Sequence, residues 1–227
     1  MPRLLPPLLC AVALLAVACG DDDTEKAAST APAEAKAQLS GDCQDVKQPA
    51  PREDGGARRP SAQLDPDKRY NLILDTSCGK IDIRLDQRTS PRTAASVVGL
   101  ARAGFFDGTV FHRIVPDFVI QGGDPTGSGM GGPGYSTRDK PPADTTYLKG
   151  TVAMAKTEAE PAGTAGIQFY IVTGADAGLP PDYAVLGKVV AGLDVVEKIG
   201  RLGDPASGGA GTPLKAVVIE KASVRGH

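Results

Sequence analysis

The stretch FHRIVPDFVIQGGD, residues 111–124, sets two polar side chains among apolar neighbours. Arg113 supplies a guanidinium that stays charged at any working pH, and Gln121 supplies a primary amide. Apolar neighbours exclude water and so strengthen the field of a charged donor. Taken alone, this stretch favours a structural salt bridge from Arg113 to an aspartate. A hydrogen-bonding and electrostatic site is the alternative, and it depends on the motifs that flank the stretch.

Other catalytic and binding motifs are weakly supported. His112 is the only internal histidine and no GxSxG turn is present, which argues against serine hydrolysis. The cysteines form no CxxC pair, so we expect no metal and no cofactor. The stretch 127–132 satisfies GxGxxG, but Pro133-Gly134 follows it where a nucleotide site needs a helix, so it is interpreted as a surface loop. A net charge of -2 gives no basic face for nucleic acid.

The elements that must position Arg113 and Gln121 are mostly short strands. Residues 81–86 alternate apolar and charged side chains, which is typical of a half-buried strand. Ser90-Pro91 begins a helix that Gly104 ends, and Leu193–Ile199 indicates a second helix. The other strand candidates are Tyr70–Asp75, Phe111–Val115, Phe118–Gln121, Gly150–Ala155, Ile167–Thr173, Ala184–Val190 and Leu214–Val224. The pattern predicts an all-β barrel with peripheral helices.

The N-terminus is interpreted as a signal peptide, residues 1–18. Its apolar run is well under the roughly 18 residues of a membrane-spanning helix. The run ends in LAVAC, which resembles the lipobox of bacterial lipoproteins, and the resemblance implies lipidation of Cys19. Ala16 stands where leucine is usual, so an ordinary secretory signal is the alternative.

Residues 19–68 are predicted to be the lipidated cysteine followed by a disordered tether, and residues 69–227 the folded domain. The stretch up to Gln38 lacks apolar periodicity and cannot offset the entropy of ordering. We therefore expect an extracytoplasmic protein that is lipid-anchored to the bacterial cell membrane. That compartment permits a disulfide between Cys43 and Cys78, and two free thiols are the alternative.

The stretch FHRIVPDFVIQGGDPTGSGMGG resembles the signature of the cyclophilins, the barrel-fold peptidyl-prolyl cis-trans isomerases. The blocks FFDGT, GTVAMA, QFYI and LGKV around it occur in the family's order. The resemblance extends from Arg69 to the end of the chain. It implies a mainly β fold, a closed eight-stranded antiparallel barrel with two capping helices.

The resemblance also implies site residues. Arg113 matches the catalytic arginine, Gln121 matches the amide that holds the substrate backbone, and Phe118 completes the catalytic set. The substrate-binding positions that it implies are Val119, Ala155, Tyr170, Leu179 and Tyr183. The chain departs from the family in having Tyr170 where phenylalanine is usual and Lys156 where asparagine is common.

The implied activity is peptidyl-prolyl cis-trans isomerisation of X-Pro bonds in exported proteins, which assists their folding. Rotation about the amide faces a barrier of roughly 18–20 kcal/mol, and an arginine near the proline nitrogen stabilises the twisted amide more than the planar one. The expected partners are proline-containing polypeptides and, through the anchor, a membrane; we expect no nucleic acid and a monomer. A binding module without turnover and a solute-binding lipoprotein are the alternatives.

Overall fold

The computed structural model describes residues 43–61 and 63–227. The predicted signal peptide, the lipidation site Cys19 and the first part of the predicted tether lie outside the described residues. Within the described part of the chain, no helix has the length and apolar character to cross a membrane.

The described residues form eleven strands, two α-helices and a 3₁₀ segment, Pro205–Ala210. The strands are β1 Tyr70–Thr76, β2 Gly79–Leu85, β3 Thr109–Val110, β4 Arg113–Val115, β5 Val119–Gly122, β6 Thr137–Arg138, β7 Thr151–Met154, β8 Thr164–Ala165, β9 Phe169–Val172, β10 Val185–Ala191 and β11 Val218–Gly226. The helices are α1 Pro91–Arg102 and α2 Leu193–Gly200.

Nine strands form one antiparallel sheet in the order β3-β11-β1-β2-β10-β7-β9-β5-β4. Only Phe111 and His112 separate β3 from β4, yet these strands are the two edges of the sheet, so the sheet must curl until its edges meet. A bridge between Val110 and Asp124 joins the two sides there. The predicted mainly β antiparallel barrel is confirmed. The described sheet has nine strands instead of eight, because β3, just before the predicted strand Phe111–Val115, pairs with β11 at the opposite edge from β4.

The main core fills the inside of the curled sheet and is covered by the two helices. Alternation in β2 buries Ile81, Ile83 and Leu85 on this side, as the period of two requires. The helix α1 buries an apolar stripe that includes Val97 and Val98. The predicted pair of capping helices is confirmed.

An extended segment, residues 43–57, packs on the domain, and we call it the strap. A disulfide joins Cys43 to Cys78 in the turn between β1 and β2, and the Gln44 N–H donates to a carbonyl of the same turn at 2.8 Å. The packed region therefore begins well before the predicted boundary at Arg69. A disulfide and backbone hydrogen bonds help to fix this segment. Neither requires a regular spacing of apolar residues, so the sequence gives no sign that the segment is packed.

Candidate functional site

All eight residues predicted for the site line one cavity of about 270 Å³. The lining residues are Arg113, Phe118, Val119, Gln121, Ala155, Lys156, Tyr170, Leu179 and Tyr183. Lys156 is the one member that was not predicted as a site residue. The cavity belongs to a second, smaller apolar cluster, separate from the main core.

Side chains alternate between the two faces of each strand, so one strand contributes residues both to the main core and to the wall of this cavity. In β5, Ile120 packs in the main core whereas Val119 packs in the second cluster, because successive side chains of a strand point to opposite faces. Gln121 is paired with Arg113 on β4 and with Tyr170 on β9. Three side chains of the site therefore lie in a row across adjacent strands.

The guanidinium of Arg113 is held by uncharged acceptors. Its Nε donates to the Gly209 carbonyl at 3.1 Å, and its Nη1 donates to Gln121 Oε1 at 3.4 Å. The guanidinium carbon lies 5.8 Å from the centre of the Phe118 ring. None of the ion pairs found in the described part of the chain involves Arg113, so a carbonyl and an amide hold it in place of an aspartate. Burial lowers the pKa of Arg113 and Tyr183 opposes that effect, yet an arginine keeps its charge in proteins.

A chain of amides connects Arg113 to the glycine-rich loop. Gln121 Nε2 donates to Gln168 Oε1 at 3.1 Å, and Gln168 Nε2 donates to the carbonyls of Gly129 and Gly131, both at 2.9 Å. These bonds orient the Gln121 amide so that its oxygen faces Arg113. Gln168 was not predicted as a site residue, although it begins one of the blocks that carry the resemblance.

One buried carboxylate organises the glycine-rich loop. Asp124 accepts hydrogen bonds from the N–H of Thr126 at 2.8 Å and from the N–H of Gly129 at 2.6 Å. Burial alone would raise the pKa of Asp124, but bonds from Thr126, Gly131 and Gly129 outweigh it and hold the pKa below its usual value. The carbonyls that bind Gln168 are therefore presented by a loop folded around an ionised aspartate.

Three tyrosines pack together beside the cavity, with ring centroids 5.6–6.4 Å apart. The hydroxyl of Tyr147 donates to the Tyr183 carbonyl at 2.7 Å and accepts from the Tyr183 N–H at 2.9 Å. The hydroxyl of Tyr170 is buried and has no hydrogen-bond partner among the described residues. Burial raises the pKa of both phenols, that of Tyr147 to about 12. Tyr147 was not predicted, and its only signal was the scarcity of tyrosine, with five in the chain.

Lys156 joins two loops at the edge of the cavity. Its Nζ donates to the Glu160 carbonyl at 3.1 Å, lies 3.8 Å from Asp182 Oδ2 and stands 5.4 Å from the centre of the Tyr183 ring. The lysine side chain is only 4% exposed. It therefore fixes the loop before β10, which carries Tyr183, against the loop that follows β7.

Residues 71–224 match the model of the family described as cyclophilin type peptidyl-prolyl cis-trans isomerase/CLD. Peptidyl-prolyl cis-trans isomerase ppi1 of Schizosaccharomyces pombe is 37% identical over 150 residues, which cover 65% of this chain and 96% of that protein. Peptidyl-prolyl cis-trans isomerase-like 1 of Homo sapiens is 37% identical over 134 residues, which cover 57% of this chain and 79% of that protein.

The fold is similar to a crystal structure of a cyclophilin type peptidyl-prolyl cis-trans isomerase of Cryptosporidium parvum, solved in the presence of the dipeptide Ala-Pro. The TM-score is 0.62 and the identity 26%, and the match covers 68% of this chain and 98% of that structure. Every residue that lines the cavity lies within the range of the family match, whereas the strap lies before it.

Proposed function

The chain belongs to the cyclophilin-type peptidyl-prolyl cis-trans isomerase family and is a peptidyl-prolyl isomerase, and we propose that it acts on X-Pro bonds of exported proteins in the cavity around Arg113. The observation that carries this proposal is the convergence of all eight predicted residues on one cavity. They come from separate parts of the chain, and only the curled sheet brings them together.

In the proposed mechanism the proline ring packs against the apolar walls formed by Phe118, Val119 and Leu179, and Arg113 lies at their edge. Rotation disrupts amide resonance, which accounts for a barrier of roughly 18–20 kcal/mol. The proline nitrogen then becomes pyramidal and gains a lone pair that an N–H donor can bind. A charged donor stabilises this state more than the planar amide, which is the requirement for catalysis.

Preorganisation of Arg113 supports this role. The bonds to Gly209 and Gln121 use two of the five N–H groups of the guanidinium. They fix its plane before substrate arrives, so little reorganisation is needed when the amide twists. No proton transfer or covalent intermediate is required, because the reaction is a rotation. The Gln121 amide, oriented by Gln168, is proposed to hold the peptide backbone beside the arginine.

The proposal also includes the location of the protein. We place it outside the cytoplasm of a bacterium, lipid-anchored to the cell membrane at Cys19. The support is the signal-like stretch 1–18 that ends at this cysteine, together with the disulfide between Cys43 and Cys78, since disulfides persist mainly in oxidising compartments. The substrates would then be exported polypeptides that fold near the membrane.

Isomerisation of an X-Pro tetrapeptide by the chain and by Arg113→Ala tests the activity. We expect kcat/KM to fall by about 10²–10³, as it does when one preorganised donor is removed from other active sites. Arg88→Ala, at an exposed arginine that does not line the cavity, is the matched control and should retain full activity. Absence of turnover by folded wild-type protein would mean that the domain only binds proline segments.

Fatty-acid labelling in a bacterial host tests the anchor. The wild-type chain should incorporate labelled palmitate and sediment with membranes, and Cys19→Ser should do neither. Labelling that persists in the variant would exclude Cys19 as the site of lipidation.

A further inference from the structure

A second cavity, of about 640 Å³, adjoins the first and shares Gln121, Ala155 and Lys156 with it. Part of its remaining wall is the glycine-rich loop with the residues after it, 129–136, and Asp54 of the strap also lines it. A peptide whose proline lies in the first cavity can continue along the shared wall into the second. Asp54 precedes the range of the family match, so its contribution lies outside the part of the chain that the family model describes.

Hydrogen bonds on both sides of Asp54 fix its position. Asp54 Oδ1 accepts from the Gly132 N–H at 2.5 Å. The next residue, Gly55, donates its N–H to the Gly132 carbonyl at 2.9 Å, and Arg52 donates its N–H to the Pro125 carbonyl at 2.9 Å. The carboxylate is therefore held at the wall of the cavity and remains exposed to it.

Among the charged side chains that line the second cavity, carboxylates outnumber cations by two to one, and the Arg59 guanidinium contacts two other lining residues, Tyr135 and Ser136. The charged lining side chains are the carboxylates of Asp54 and Glu160 and the ammonium of Lys156. The ammonium is buried and directed at Asp182 and at a backbone carbonyl, so its charge is compensated locally. Glu160 accepts hydrogen bonds from the Thr157 N–H and hydroxyl, and Asp54 has one oxygen bound to an amide. Neither carboxylate is paired with a basic side chain in the described part of the chain.

We propose that Asp54 is a specificity-determining residue, through which the second cavity favours peptides that carry lysine or arginine near the X-Pro bond. The inference rests on isomerase activity in the first cavity. An exposed pair of opposite charges contributes little, and salt screens it. Exchanging lysine for glutamate in the peptide turns an attraction into a repulsion, so the two effects add. We expect a preference for the lysine peptide of about fivefold to tenfold at low ionic strength.

The experiment compares three peptides that differ only in having lysine, glutamine or glutamate two residues before the proline. A second set carries the same residues three positions before it. Asp54→Asn removes the charge and keeps an oxygen that accepts from the Gly132 N–H. Glu53→Gln makes the same change of charge on the neighbouring residue, which does not line the cavity. We expect the lysine-to-glutamate ratio of kcat/KM to fall to about one or two in Asp54→Asn and to remain at the wild-type value in Glu53→Gln.

The glutamine peptide separates this inference from the activity itself. Its turnover should be equal in wild type and Asp54→Asn, which would show that the cavity is intact. No turnover of any peptide by wild type would overturn the isomerase assignment and this inference with it. Turnover with a lysine-to-glutamate ratio that Asp54→Asn leaves unchanged, or that Glu53→Gln lowers equally, would overturn the role of Asp54 alone.

Discussion

Replacement of Tyr170 by phenylalanine is expected to stabilise the protein. The Tyr170 hydroxyl is buried and has no partner among the described residues, and the residue is 4% exposed. An unsatisfied buried hydroxyl costs about 1–3 kcal/mol in desolvation. Removing it also removes a few dispersion contacts, which offsets part of the gain. The expected net increase in the free energy of unfolding is about 1 kcal/mol, or about 2–4 °C in Tm for a domain of this size.

Tyr147→Phe is the matched comparison, because it deletes the same atom from a neighbouring ring. The Tyr147 hydroxyl makes two hydrogen bonds, to the carbonyl and the N–H of Tyr183. Its loss leaves both backbone groups without their partner, so we expect the free energy of unfolding to fall by about 2–3 kcal/mol. Tyr147→Phe should also lower kcat/KM, because it releases the backbone of Tyr183, which lines the proline cavity. Tyr170 lines the same cavity, but Tyr170→Phe keeps the aromatic ring there, so we expect it to leave kcat/KM nearly unchanged.

Urea unfolding at neutral pH, with the disulfide intact, measures both changes from the midpoint and the slope m. An unchanged m is required before a shift in midpoint is interpreted as a change in stability. If Tyr170→Phe were destabilised by 1 kcal/mol or more, the hydroxyl would have a partner in solution, and the reasoning from its burial would be refuted. Equal effects of the two substitutions would refute the distinction drawn from their hydrogen bonds.

Two further predictions concern the strap and the glycine-rich loop. The disulfide joins two cysteines that are 35 residues apart in sequence. Replacing Cys43 and Cys78 by serine should therefore lower the free energy of unfolding by about 4 kcal/mol. Equal urea midpoints for the variant and the oxidised wild type would contradict this. The pKa of Asp124 is lowered in the folded state, so its ionised form stabilises the fold at pH values above the ordinary aspartate pKa of 3.8. This stability is lost as pH falls through the folded pKa. The difference in unfolding free energy between wild type and Asp124→Asn should therefore be largest near pH 7 and shrink toward pH 2, and a constant difference would argue against an ionised Asp124.

Local periodicity made most of the strands predictable. The alternation in β2 and the apolar runs of β1 and β9 agree with the structure to within a few residues. The two-residue strands β3, β6 and β8 were not predicted, because two residues are too few to display a period. The predicted strand at 214–224 begins only at Val218, since residues 213–214 pair instead with residues 202–203 after α2, through a bridge between Gly203 and Pro213 and a bond from the Leu214 N–H to the Leu202 carbonyl.

The supporting residues around the site could not be predicted in the same way. Tyr147, Lys156 and Gln168 act through partners that are 26–47 positions away in sequence. Their side chains are common residue types in segments without periodicity. The strap was predicted to be part of a disordered tether for the same reason, because its contacts are a disulfide, backbone hydrogen bonds and polar side-chain bonds such as that of Asp54 to the Gly132 N–H.

The sequence by itself determined which residues share a face and which residues carry the chemistry. In β5 the period of two directs Val119 and Gln121 away from the core side chain Ile120, and the blocks around Arg113 carried the resemblance to the family. The tertiary structure decided how these residues meet. Sheet curling and strand register set Arg113 beside Gln121 and Gln121 beside Tyr170, and loop packing decided which hydroxyls and amides found partners. Side-chain direction follows from local backbone geometry, whereas a hydrogen-bond partner across a cavity depends on every element that closes it.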